Sequence, residues 1–309
     1  MRPILTLTLN PTIDIACATA EVVPQHKLRT HDERMDPGGG GVNVSRVLHE
    51  LGAKTLAVVL AGGVFGRHLE TLITAEGVAC RAVAIAGETR IAMTVHDEKS
   101  GHEYRFVGEG PVIQPAEIDA VLAALEAQPA DWLVISGSLP RGVTVDTLAH
   151  IVRRAHQTGR QVVLDTSGPA LKAAIGHGLA LIKPSLREFE ELVGTPLPSA
   201  AAQDEAALRL VRKGAAERIA VSLSGDGAML ATRDGVVRCP AIPVKAVGTV
   251  GAGDSFLAAL TLALVRGSTP SDALAWGLAA GAAAVMATGT ARPSRAVIEA
   301  LHRSAANPP

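Results

Sequence analysis

Gly248-Thr-Val-Gly-Ala-Gly-Asp-Ser-Phe-Leu-Ala-Ala-Leu-Thr-Leu-Ala-Leu-Val265 is the stretch that decides the reading of this chain. Three small residues, Gly251, Ala252 and Gly253, precede Asp254, and an apolar run of helical character follows at once. A glycine-rich turn feeding a helix leaves backbone N–H groups unpaired and converging, with the positive end of the helix dipole behind them. Such a turn binds anions. An acidic side chain at that point suits a base that removes a proton beside a bound anion, as phosphoryl transfer to an alcohol requires. The plain alternative is that Asp254 caps the helix, a position aspartate favours.

Outward from this stretch, short apolar strands alternate with amphipathic helices. Strands are expected at 132–136, 161–164, 179–182 and 218–222, and helices at 144–157, 168–175, 185–193 and 200–213. Strands without polar alternation indicate a parallel sheet covered on both faces, with ligands at the carboxyl ends of its strands. Ser136-Gly-Ser138-Leu-Pro140, Asp165-Thr-Ser-Gly168 and Lys183-Pro-Ser185-x-x-Glu188 all lie at such ends. Nearer the N-terminus, Ile4 to Leu9 alternates as a strand, and Asn10-Pro11 turns the chain toward Asp14. Asp36-Pro-Gly-Gly-Gly-Gly-Val-Asn43 then precedes a helical pattern at 44–51. Consecutive glycines let a backbone approach a ligand closely. They do not make the Gly-x-Gly-x-x-Gly spacing after a strand that a dinucleotide-binding turn needs, so a dinucleotide oxidoreductase is disfavoured. Strands at 89–95 and 102–107 flank the turn Asp97-Glu-Lys-Ser-Gly101, a hairpin carrying Arg90 and Arg105.

The turn at Asp254, together with the Gly-Gly run ending in Asn43, resembles the two motifs of the ribokinase-like (PfkB) sugar kinases. The resemblance extends over essentially the whole chain. It implies an α/β fold, a three-layer α/β/α sandwich with a mainly parallel sheet. One kinase domain would span 1–309, with a small β lid from about 12–36 and 89–107. It implies Asp254 as the catalytic base, with Gly251, Ala252 and Gly253 facing the transferring phosphoryl group. Asp14, Gly38, Gly39, Asn43 and Ser138 would meet the sugar. The phosphofructokinase members of the family imply Lys27, Arg29, Arg90 and Arg105 for the substrate's own phosphate. Lys183, Ser185, Ser222, Ser224, Gly225, Gly227 and Thr249 would face ATP, and Glu188 would reach Mg2+ through water. Ser185 stands where the family usually has asparagine, and Ser222-Leu-Ser224 where it usually has Ser-Leu-Gly. Gly40 occupies the place of a lysine common in kinases of 1-phosphorylated or tagatose sugars.

These readings lead to ATP- and Mg2+-dependent phosphorylation of fructose 6-phosphate at its 1-hydroxyl. A 1-phosphofructokinase or tagatose-6-phosphate kinase is the alternative inside the family, and a non-catalytic sugar-phosphate sensor the alternative outside it. The resemblance also implies a homodimer through the lid and activation by a monovalent cation such as K+. Composition sets bounds of its own. A formal net charge of −1 and 2% aromatic residues disfavour nucleic acid as partner. Cys17, Cys80 and Cys239 are scattered and suit reduced thiols of a cytoplasmic protein. The uncharged run 273–291 is long enough to span a membrane, but it is mostly alanine, glycine and threonine and suits a buried helix better.

Overall fold

The computed structural model describes residues 2–248, 250–286 and 292–306. In chain order it contains β1 (Ile4–Thr8), β2 (Thr12–Thr19), β3 (His31–Gly38), α1 (Gly40–Glu50), β4 (Thr55–Ala61), α2 (Gly63–Ala75) and β5 (Ala79–Ala84). Then come β6 (Arg90–Asp97), β7 (Glu103–Val107), α3 (Pro115–Glu126), β8 (Trp132–Ser136), α4 (Val145–Gln157), β9 (Gln161–Asp165), α5 (Gly168–Ala174) and β10 (Leu179–Ile182). The rest is α6 (Leu186–Val193), α7 (Ala200–Arg212), β11 (Ile219–Ser222), β12 (Ala228–Thr232), β13 (Gly235–Cys239), α8 (Ala252–Val265), α9 (Pro270–Val285) and α10 (Arg295–Ala306).

Nine strands form one sheet in the order β13-β12-β11-β10-β9-β8-β1-β4-β5. Pairing is parallel from β11 to β5 and antiparallel at β12 and β13. Successive side chains of a strand point to opposite faces. Leu133 and Ile135 accordingly join one core cluster while Val134 joins another, and Val162 and Leu164 separate from Val163 in the same way. Both faces are apolar because both are covered. Helices α3 to α7 pack on one side, and α1, α8, α9 and α10 on the other. The expected α/β/α layering is present. The hairpin β12–β13 was not expected, because Ala228-Met-Leu-Ala-Thr lacks β-branched residues except at its end. Helices α3 and α10 were not expected either.

α8 and α9 are packed against each other along their length. A side chain at Gly277 would sit 3.0 Å from the Phe256 ring, so the small residues of α9 serve close helix contact. Among the described residues no helix is long and apolar enough to cross a membrane. A second sheet, ordered β3-β2-β6-β7, is built from the segments expected to form the lid. Its register places Met35, Ile15, Met93 and Phe106 side by side on one face. Asp36, Asp14, Ala92 and Val107 share the other face.

Helix α1 begins at Gly40, four residues before the expected start. Gly39, at φ 106, makes the turn into it, a conformation open to glycine. Under α1, a chain of buried hydroxyls joins three elements. Thr6 Oγ1 and Ser45 Oγ are 2.8 Å apart, and so are Ser45 Oγ and Thr55 Oγ1. Thr55 Oγ1 donates onward to the Ile4 carbonyl at 3.1 Å. Three polar groups are thereby satisfied without water.

Candidate active site

The carboxyl ends of β1, β8, β9, β10 and β11, the start of α8 and the inner face of the second sheet converge on one region. Gly251 is the N-cap of α8 in the left-handed conformation, φ 77, and nothing lies within 4 Å of where its Cβ would be. Asp254 is therefore inside the first turn and is not the cap. Its Oδ2 accepts instead from Asn43 Nδ2 of α1 at 2.9 Å, across 211 positions of sequence. The capping explanation falls. Burial lifts the Asp254 carboxyl to about 7, and the Asp165 and Asp14 charges add to the lift; Asn43 and Lys183 oppose it. A carboxylate poised near neutrality can take a proton and release it again at working pH.

Lys183 follows β10 and Asp165 ends β9; the Lys183 Nζ to Asp165 Oδ1 distance is 3.2 Å, and both are largely buried. Burial works against the ammonium, but Asp165, Asp254 and Glu188 outweigh it and keep Lys183 protonated. A Cβ on Gly253 would lie 3.5 Å from Lys183 Nζ, so this cation stands over the start of α8. Cation and helix start together make an anion site.

Ser185 caps α6, its Oγ accepting from Glu188 N at 3.4 Å. Glu188 Oε2 in turn accepts from Ser185 N and Ser185 Oγ, each at 2.8 Å, completing a capping box. The Lys183-Pro184-Ser185 segment runs beside β11, with Ser222 N donating to the Pro184 carbonyl at 3.2 Å. Ser224 and Gly225 form a short 3₁₀ turn after β11, with Ser224 at φ 52. Gly227 closes that turn, where a side chain would run into the Cys239 carbonyl. Thr249 lies outside the described residues.

Asp14 of β2, Thr94 of β6, Arg105 of β7 and Val250 line a hollow between the second sheet and the turn before α8. Burial and the neighbouring Asp36 raise the Asp14 carboxyl to about 6, against the pull of Arg90, Arg105 and Arg46. Arg90 is already committed: Nη1 donates to the Gly108 carbonyl at 2.9 Å and Nη2 to that of Asn10 at 2.8 Å. Ser138 accepts from Asn10 Nδ2 at 3.4 Å. Lys27 and Arg29 are exposed in the connection between β2 and β3 and do not line the hollow.

The four glycines have separate neighbours. A Cβ on Gly38 would strike the Asp14 carboxylate, one on Gly39 the Thr8 methyl, one on Gly40 the Ser136 hydroxyl, and one on Gly41 the Thr8 hydroxyl and Leu7 carbonyl. Gly38 lies directly against Asp14. Gly40 is glycine because the end of β8 lies against it, a packing reason that spacing could not reveal. Sequence reading placed Asp165 at a ligand-bearing strand end but gave it no role, and it passed over Arg46. Arg46 stood three residues after Asn43, one turn along the same helix, and that spacing was the available signal.

The sequence profile of the pfkB family carbohydrate kinases matches residues 7–296. The chain is 41% identical over 307 residues to a Mycobacterium tuberculosis protein named ATP-dependent 6-phosphofructokinase isozyme 2, covering 99% of this chain and 90% of that one. Phosphofructokinase-2 from Escherichia coli, solved in complex with fructose-6-phosphate, superposes with a TM-score of 0.93 at 35% identity, covering 99% of this chain and 100% of that one. Its potassium complex gives 0.95 at 36%, with the same coverage.

Proposed function

The chain belongs to the pfkB family of carbohydrate kinases, and from that premise we propose that it transfers the γ-phosphoryl group of ATP to the 1-hydroxyl of fructose 6-phosphate. The observation that carries this reading is the buried Asp254 carboxyl, held by Asn43 at the open start of α8 and poised near pH 7. Asp254 takes the proton of the attacking hydroxyl. The amides of the Gly251–Gly253 turn and the Lys183 ammonium hold the transferring phosphoryl oxygens. Asp14, Gly38, Gly39, Asn43 and Ser138 orient the sugar, and Arg105 takes its phosphate through a charge-assisted fork. Arg90 positions the lid by tying Asn10 to Gly108, and Lys27 and Arg29 reach the phosphate only when the lid closes. The second sheet is that lid on a single kinase domain, and closure excludes water from the reaction.

ATP enters with its magnesium ion as substrate. Among the described residues no group of three His, Cys, Asp or Glu forms a metal cage. That suits an ion held chiefly by phosphates and water with one or two carboxylates, as magnesium usually is in kinases. Glu188 keeps its water-mediated role, within the geometry its capping box sets. Ser185, Ser222, Ser224, Gly225, Gly227 and Thr249 complete the nucleotide side. A monovalent cation binds near the catalytic loop.

The apolar row Met35, Ile15, Met93 and Phe106 supports a homodimer through the lid, since Met35 and Phe106 are 51% and 60% exposed. Three free thiols support a cytoplasmic setting. Substrate choice rests on the lid, which must meet the substrate's own phosphate, and on Gly40, which leaves only backbone where a lysine would place a cation. Measuring kcat/KM at fixed magnesium-ATP decides the assignment: fructose 6-phosphate should lead, tagatose 6-phosphate follow and fructose 1-phosphate trail. A preference for fructose 1-phosphate would make the chain a 1-phosphofructokinase, and absence of ADP formation with any of the three would leave the sensor.

A further inference from the structure

Arg46 is almost fully buried in α1, and its guanidinium reaches three elements at once. Nε and Nη2 grip Glu76, at the end of α2, at 2.8 and 2.7 Å. Nη1 donates to the Pro37 carbonyl of β3 at 3.3 Å and to Asn43 Oδ1 at 3.4 Å. Asp36 Oδ1 stands 3.9 Å from Nη2, and Arg292 approaches the same Glu76 at 3.8 Å. The far end of the Asn43 amide, Nδ2, is the donor to Asp254.

An asparagine amide can present either its oxygen or its NH2 group to a neighbour, and only the network decides which. A guanidinium has donors alone, so the side of the amide facing Arg46 must be oxygen. We propose that Arg46 is a positioning residue for the catalytic base: it locks the Asn43 amide so that NH2, and never the carbonyl, faces Asp254. Glu76 fixes the guanidinium with a two-point grip, and the Pro37 contact ties the same group to the lid strand. The consequence is directional. An NH2 group donating to Asp254 favours the carboxylate, the form that accepts a proton. A flipped amide would offer oxygen and favour the protonated acid, which is inactive as a base. Lysine in place of Arg46 keeps the positive charge, but its single nitrogen cannot grip Glu76 and reach Asn43 together.

The inference rests on the kinase reading, so its primary test does not depend on turnover. The Asp254 side-chain carboxyl is followed by 13C NMR through a pH titration of the full-length protein, its signal assigned by its absence in Asp254→Asn. The charges facing it, Asp165, Lys183 and Asp14, are unchanged in every variant. In R46K the midpoint should rise by about one to two units, the scale of one hydrogen bond to a charged group. Asn43→Ala should raise it similarly, and R46K with Asn43→Ala should go no further than Asn43→Ala alone, because both act through one amide. The acid limb of kcat should move with the NMR midpoint. A wild-type midpoint in R46K, or additive shifts in the double variant, overturns the proposal whatever the substrate proves to be. Should R46K not fold, E76Q loosens the same grip and is judged by the same shift. A wild type that titrates as described but transfers no phosphoryl group refutes the kinase reading and leaves this inference standing.

Discussion

Replacing Asp254 by asparagine should do two opposite things. Phosphoryl transfer should fall by ~10²–10⁴-fold, the usual share of general-base catalysis. The protein should meanwhile become more stable at alkaline pH. In the unfolded chain this carboxyl loses its proton near its ordinary value of 3.8, whereas in the folded protein it keeps it until about 7. Between those values the folded state binds the extra proton, so stability falls as pH rises from about 4 to about 7, and it is flat above. A shift of roughly 3 units at about 1.36 kcal/mol each puts the full penalty near 4 kcal/mol. Asparagine keeps an oxygen for Asn43 Nδ2 and carries no charge, so the penalty disappears. Urea unfolding of both proteins without ligands, at pH 5 and pH 8, measures it. The advantage of the variant should widen by about 2–3 kcal/mol between those two pH values. An equal difference at both would mean that the carboxyl is not held protonated by burial. Turnover within a few-fold of wild type would remove Asp254 from the role of base.

Three further outcomes are expected. Arg105→Ala should raise KM for the sugar phosphate about tenfold to a hundredfold, the worth of a charge-assisted bond of roughly 1.5–3 kcal/mol, and leave KM for ATP unchanged. Arg90→Ala should raise KM for the sugar phosphate and also lower the melting temperature, because the Asn10 and Gly108 carbonyls lose their donors; an unaltered melting temperature would return Arg90 to phosphate binding alone. Phe106→Asp should convert a dimer to monomer in light scattering after size exclusion, and a variant of unchanged mass would place the subunit contact elsewhere.

The sheet was legible where periodicity had one meaning. Leu133-Val-Ile135 and Val162-Val-Leu164 are apolar on both faces, and only a doubly covered strand needs that. The motifs drew Asp254, Asn43, Lys183 and Asp14 out of the sequence, and the structure brings them into one region. What escaped were relations between residues far apart in the chain. Asn43 was read as a sugar contact from its motif, yet one end of its amide holds Asp254 and the other meets Arg46. Gly40 was read for what it says of substrate, and its close contact with Ser136 could not be seen from the sequence. Helix α3 was readable and was passed over: Gln114-Pro-Ala-Glu117 is a capping box with proline at the helix start. Strand β12 gave no such notice.

The run Gly38–Gly41 has a consequence for how this enzyme can change over time. Each glycine is closed off by a close neighbour: the Asp14 carboxylate, the Thr8 methyl, the end of β8, and the Leu7 carbonyl with the Thr8 hydroxyl. Four adjacent codons are thus held by close neighbours, and two of them, those of Gly39 and Gly41, share Thr8. This stretch between β3 and α1 is closed to exploration by single substitutions. Strand β7, by contrast, is exposed along its whole length. New sugars would be admitted through drift in the lid, while the glycine run is inherited intact.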